Sequence, residues 1–262
     1  MQPNRLGICA LPNQVSAAAD AGFDYVEMDL NRILCMGEAA YREMASVMQD
    51  RNIYAEVVSG MLPAGISIVG ENVSAQALHH ALDRSFETAR ALGAELILFD
   101  CPDARRLPPD FDPAMAWRQL GNLVRILQSY AVNFNIRTAL LPLRRGAADL
   151  MNYVSEATLI SAILRLDRIG VAASSYNMAM EAESLSALKR TGSLLWHMRV
   201  SNAIGCRLPK MGDREDYLSI FRALRDVGYS GRISCEGECL SFAPAAKSAF
   251  ECIQTAYKMV NP

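Results

Sequence analysis

The residues best suited to chemistry in this 262-residue chain stand at the ends of short apolar runs. "DYVEMD" carries Glu27, "IYAEVV" carries Glu56 with Ser59 just beyond, and "ELILFD" ends on Asp100 with Cys101 next to it. "LLWHMRV" holds His197 and Arg199, and "RISCEG" holds Glu236. Carboxylates so placed move protons or hold cations, an imidazole does either, and a guanidinium clamps anions. The run "IGVAAS" differs: it reads as a buried strand opening into an active-site loop, yet its outlet offers Ser174, Ser175 and Asn177. These are poor acids, poor bases and poor metal ligands. Of three histidines, His79 and His80 fall in a helical stretch, and only His197 lies on a strand-like run. Seven cysteines without a CxxC pair fit reduced core thiols better than a disulfide framework or a structural zinc site. Cys101 would be a nucleophile only with a lowered pKa. Alternation turns Cys235 to the outer face of its strand, and it and Cys239 read as packing residues.

Those candidates need elements to hold them. Eight short apolar runs, at 5–10, 24–29, 53–58, 95–100, 136–141, 169–174, 194–200 and 232–237, have the length of strands. Between them, amphipathic stretches near 12–21, 38–51, 72–92, 113–132, 149–164, 181–190, 214–227 and 243–258 have helical spacing. Glycines in "DAGFDYVE", "ALGAELILF" and "DVGYSGRIS" sit where a helix is capped before the next strand. Eight β/α units in this length predict a (β/α)8 TIM barrel, one domain over 1–262. The alternative, an open doubly wound sheet, lacks its GxGxxG fingerprint. In a barrel, chemistry belongs at the C-terminal strand ends, where the candidate residues stand.

Composition narrows the partners. Lysine and arginine total 26 against 28 acids, so no strong field draws the chain to nucleic acid or an anionic membrane. No apolar run approaches the roughly 20 residues of a membrane span, and "MQPNRLGICALPNQ" is not built as a signal peptide. A cytoplasmic location is the expectation.

Six segments carry a resemblance: "AGFDYVEM", "VVSGMLPAGISIVG", "FDCPDARRLPPDFD", "LLPLRRGAADLMNYVSEA", "HMRVSNAIGCRLPKMGDREDY" and "ISCEGE". Together they resemble the xylose isomerase-like barrels, in the branch of sugar isomerases and epimerases that holds D-tagatose 3-epimerase, hydroxypyruvate isomerase and inosose dehydratase. The resemblance implies one divalent metal on a Glu, Asp, His, Glu set from the last four strands, holding adjacent oxygens of a keto sugar while carboxylates move a proton. Members are often dimers or tetramers, which leaves a homo-oligomer open.

The ligand positions depart from that pattern. Where the resemblance implies Leu-Glu-Pro-Leu-Asn-Arg, the chain reads "LLPLRR", with Leu141 in place of the first glutamate. "SSYNM" puts Ser174 at the metal aspartate and Asn177 at the neighbouring histidine, and "HMR" puts Arg199 at the metal histidine, leaving His197 two residues before it. Of the four ligands only Glu236 is kept, so no metal and no other cofactor is expected. The replacements are electrostatically coordinated: removing carboxylates and adding a cation avoids the repulsion an emptied metal site would hold. They predict an ion pair between Arg199 and Glu236 across adjacent strands.

Three functions follow. The first is a protein that binds a small carbohydrate-like ligand without metal-dependent isomerisation. The second is a metal-independent isomerase, epimerase or lyase acting on a keto sugar, with Arg199 as oxyanion clamp and Glu236, Asp100 or His197 carrying the proton. The third is a metal enzyme with a relocated site drawing on Glu27, Glu56 or Asp100. Glu27, Ser59, Asp100, Asn177 and Arg207 are the substrate-binding candidates; Arg105 and Arg106 read as caps for neighbouring carboxylates, ahead of the alternative that they bind an anionic substrate.

Overall fold

Strand alternation puts residues i, i+2 and i+4 on one face, and in a closed barrel that face is the interior. A computed structural model describes residues 4–261 and shows this closure: eight parallel strands pair in sequence order, and β8 returns to β1. The strands are β1 (Leu6–Cys9), β2 (Tyr25–Asp29), β3 (Val57–Ser59), β4 (Leu96–Phe99), β5 (Arg137–Leu140), β6 (Ile169–Ser174), β7 (Leu195–Val200) and β8 (Arg232–Cys235). Around them lie α1 (Val15–Ala21), α2 (Leu30–Leu34), α3 (Glu38–Arg51), α4 (Ala75–Ala91), α5 (Pro113–Phe134), α6 (Val154–Leu164), α7 (Ser175–Met180), α8 (Ser186–Thr191), α9 (Tyr217–Asp226) and α10 (Phe242–Val260). The predicted (β/α)8 architecture is the observed one. No helix among the described residues is long and apolar enough to cross a membrane.

The apolar material forms two bodies. The larger fills the space between strands and helices, with residues such as Leu82, Phe86, Val124 and Phe221 buried in it. The smaller is the barrel's own interior: Tyr25, Val57, Leu96, Leu98, Ala139, Leu141 and Ala172. The phenol ring of Tyr25 enters that interior because β1 offers it Gly7, where a Cβ would lie 2.3 Å from the ring. Above this plug the inward positions turn polar, and the site begins there.

Local structure departs from the sequence reading in three places. The third strand is Val57–Ser59 rather than 53–58, so Glu56 precedes it and lies at the N-terminal end of the barrel. There it accepts from Arg5 at 3.1 Å and from Arg232 at 2.5 Å. Two short helices occupy stretches expected to be loop. α2 begins at once after β2, capped by the Asp29 carboxylate, which accepts from the Asn31 amide at 2.8 Å. α7 follows β6 directly, its first turn capped by Ser174. The active-site loop read into "SSYNM" is therefore helix, because a serine at a strand end serves well as an N-cap. Cysteine usage differs too: Cys235 and Cys252 are buried, but Cys239 is exposed and does no packing.

Candidate functional site

The polar layer at the C-terminal mouth is built from residues near or just beyond the ends of β2, β4, β6, β7 and β8. On β2, Glu27 follows Tyr25 at the alternation step of two; on β8, Glu236 follows Ser234 in the same way. The layer below is tied by the Tyr25 hydroxyl and Ser234 Oγ at 2.9 Å. On β7, Arg199 stands beside Ser174 of β6 and Ser234 of β8 in the strand register.

Arg199 is the centre of the arrangement. Its Nε donates to Glu27 Oε1 at 2.7 Å, its Nη1 to Glu236 Oε1 at 2.9 Å, and its Nη2 reaches Glu27 and, at 3.5 Å, Asp100 Oδ2. The expected ion pair with Glu236 is present. The second oxygen of Glu236 accepts from Ser174 Oγ at 3.0 Å, and the second oxygen of Glu27 meets His197 Nε2 at 2.8 Å. Three carboxylates thus share one guanidinium. The Arg199 side chain is 7% exposed, Glu27 1%, Asp100 16% and Glu236 21%, so ligand access comes from the Asp100 and Glu236 side.

The titration directions follow from this packing. Burial raises the Glu27 carboxyl, but the charge of Arg199 and then the contact with His197 outweigh it, so Glu27 sits well below the usual carboxylate range. Burial alone would lower the Arg199 guanidinium; Glu27 and Glu236 instead raise it well above its ordinary value. Nearby thiols move away from reactivity. Burial and the Glu27 charge raise Cys9, burial and Asp100 raise Cys101, and burial with Glu236 pushes Cys206 up to about 12.

The candidates sort by what they touch. Glu27, Asp100, Arg199 and Glu236 come together. His197 is fully buried beneath them, with its second ring nitrogen unpartnered among the described residues, so it orients Glu27 and does not face the cavity. Asn177 is buried on α7, and its Oδ1 accepts from the Arg144 amide at 3.2 Å; it fastens the segment after β5. Ser59 lines a cleft beside Asp100. Arg207 stays apart: exposed, it donates through Nε to Ile204 of its own loop at 3.0 Å and lines a separate small cavity with Asp213 and Glu238. Glu56, at the opposite end of the barrel, cannot join a site at this mouth.

Arg105, expected to cap a neighbouring carboxylate, does something else. It is fully buried and donates to backbone carbonyls of Leu141 at 3.2 Å, Leu150 and Met151 at 3.3 Å, and Asp100. It caps no carboxylate; it ties the end of β4 to the segment after β5. Only Arg106 meets a carboxylate, Asp149, at 3.4 Å. Tyr25 and Ser234 were legible, since alternation from Glu27 and Glu236 points both inward. Asp100 adds a further tie, accepting from the Gly60 amide at 2.9 Å. Gly60 adopts φ +68°, and a Cβ there would lie 2.2 Å from an Asp29 oxygen.

At the positions where the resemblance implies metal ligands stand Leu141, Ser174, Arg199 and Glu236, contiguous around β5 to β8. Leu141 is fully buried in the apolar plug. No group of three or more His, Cys, Asp or Glu among the described residues is arranged to hold a metal ion.

The profile of the xylose isomerase-like TIM barrel family matches residues 15–256. The chain belongs to that family. No curated protein matches it by sequence. Among solved structures of similar fold is D-psicose 3-epimerase in the presence of D-fructose, with TM-score 0.84 at 16% identity, covering 98% of this chain and 100% of that one. A D-allulose 3-epimerase from Methylomonas sp. in complex with D-allulose gives TM-score 0.84 at 18% identity, with 98% of each chain covered. A 3-keto-D-glucoside 4-epimerase from E. coli gives 0.77 at 19%, covering 96% of this chain and 99% of the other. This xylose isomerase-like barrel therefore shares its fold with sugar epimerases over nearly its whole length.

Proposed function

We propose that this xylose isomerase-like barrel binds a small carbohydrate-like ligand at its C-terminal mouth without the metal-dependent isomerisation of its relatives. The observation that carries the reading is the Arg199 guanidinium, hydrogen-bonded to Glu27 and Glu236 where the resemblance implies a metal-binding histidine. A permanent cation there repels a divalent ion. Leucine and serine at two further ligand positions add no anionic donor, so the residues present do not fit the metal. Ligand binding is supported by polar groups that remain within reach of the mouth, Asp100 and Glu236, and by the sugars named with two of the structural neighbours.

The metal-independent enzyme is a weaker reading because Arg199 already spends its donors on three carboxylates and is almost wholly buried. An oxyanion clamp needs donors aimed at the reacting atom. The relocated metal site loses its support with Glu56 at the far end of the barrel and Glu27 saturated by Arg199 and His197.

Elemental analysis and manganese titration of the purified protein test the proposal, together with thermal-shift screening of D-fructose, D-tagatose and D-psicose. The expected outcome is no stoichiometric metal, stabilisation by one or more sugars, and no epimerisation with added manganese. Tight stoichiometric metal would overturn it, as would solvent proton exchange into a bound sugar that Glu236→Gln abolishes. The combined variant Leu141→Glu, Ser174→Asp and Arg199→His should gain metal affinity if the ligand positions are correctly matched.

A further inference from the structure

Beside the charged floor, the loops after β3 and β4 enclose a cleft of about 640 Å³ against α4. Gly60, Leu62, Pro63 and Ala64 of the first loop line it, with Pro102, Asp103 and Ala104 of the second. The cleft's inner end is polar, with Asp29 and Asp100. Most of its wall is apolar, with Leu34, Leu62, Ile66, Ala81, Pro102 and Ala104 facing it, while the exposed His80, Arg84 and Asp103 also line it. The volume lies within the roughly 300–1,000 Å³ of small-molecule pockets.

This division of chemistry constrains the ligand. Sugar hydroxyls find partners at Asp100 and Glu236, but along the aliphatic walls each would lose its water without gaining a bond. A ligand made only of hydroxylated carbon would leave the cleft unused. We propose that the natural ligand has two unlike ends: a hydroxyl-rich ring over the Asp100 and Glu236 carboxylates, and an apolar substituent of aryl or branched alkyl character in the cleft, as in a glycoside with an apolar aglycone. This rests on the carbohydrate reading of the mouth. Burial of the substituent supplies affinity in proportion to its apolar area, and the carboxylates fix the orientation. Asp100 is the hinge between the two ends, since it contacts Arg199 on one side and lines the cleft on the other.

Three probes separate the parts: phenol, methyl β-D-glucopyranoside and phenyl β-D-glucopyranoside, each titrated into the full-length protein and followed by amide shifts in two-dimensional NMR. Phenol is expected to shift the amides of Gly60, Leu62 and Cys101, and the phenyl glucoside to bind at least tenfold more tightly than the methyl glucoside. Two substitutions that fill the cleft, Ala77→Trp on the half-buried face of α4 and Ala64→Trp on the exposed loop, should erase that ratio while leaving the methyl glucoside unchanged. Equal affinity of the two glucosides overturns the inference and leaves the carbohydrate reading in place. Phenol binding that the tryptophans abolish, with no glucoside binding at all, overturns the two-ended ligand together with the carbohydrate reading. Phenol that leaves those amides unmoved overturns the inference outright.

Discussion

Two arginines are buried within a few residues of the barrel mouth, and they are held in opposite ways. Arg199 lies among Glu27, Glu236 and Asp100, whose charges raise its pKa against the effect of burial. Arg105 donates its hydrogen bonds to backbone carbonyls alone and lies over the Phe99 ring, and burial lowers its pKa to about 10. The same side chain therefore serves one region as a counter-ion and the other as a multi-pronged hydrogen-bond donor. In the first region charge is being neutralised; in the second, irregular backbone that could not pair with itself is being satisfied. Chemistry requiring a free cation would find it at neither place.

The comparison can be broken most directly at Arg199. Arg199→Met leaves Glu27 buried with only His197 beside it, and we expect a loss of about 3–5 kcal/mol in urea unfolding. A loss below about 1 kcal/mol would mean the carboxylates are not held by that charge. Arg105→Met strands neutral carbonyls and should cost less, about 2–3 kcal/mol. Unlike the Arg199 variant, it should leave the acid dependence of stability unchanged.

That dependence is the third handle. The folded-state pKa of Glu27 is depressed, so its contribution is complete above the unfolded value of about 4.3 and fades as pH falls below that toward the folded value. Glu27→Gln should flatten the acid limb of a stability profile between pH 5 and 2; superimposable limbs would refute the assignment. The smallest effect is expected at the rim. Ser174→Ala removes one hydrogen bond to Glu236 and one helix cap, worth about 1 kcal/mol in thermal unfolding. A larger loss would show that Glu236 depends on Ser174 more than on Arg199.

The barrel was legible because period and punctuation agree along the chain. Gly22, Gly93 and Gly228, each read as a helix cap, all adopt positive φ. The pairing of Arg199 with Glu236 was legible because neighbouring strands of a parallel barrel bring successive strand ends together. What escaped had physical reasons. Glu56 was misplaced because "IYAEVV" is apolar on both sides of it, and periodicity cannot say where in such a run pairing starts. Arg207 was expected near the mouth by resemblance, yet its loop turns it to Ile204. Arg105 was read as a carboxylate cap because a sequence does not show which carbonyls a fold will leave unpaired.

The bond between Arg199 and Glu27 spans 172 residues of chain. At ribosomal speeds of roughly 5–20 residues per second, Glu27 emerges on the order of ten to thirty seconds before its counter-ion exists. Throughout that interval the carboxylate is better solvated than buried, so the polar layer opposes premature closure of the first strands around their apolar plug. The contact that steadies the finished barrel is thus one that no N-terminal stretch short of the seventh strand can make.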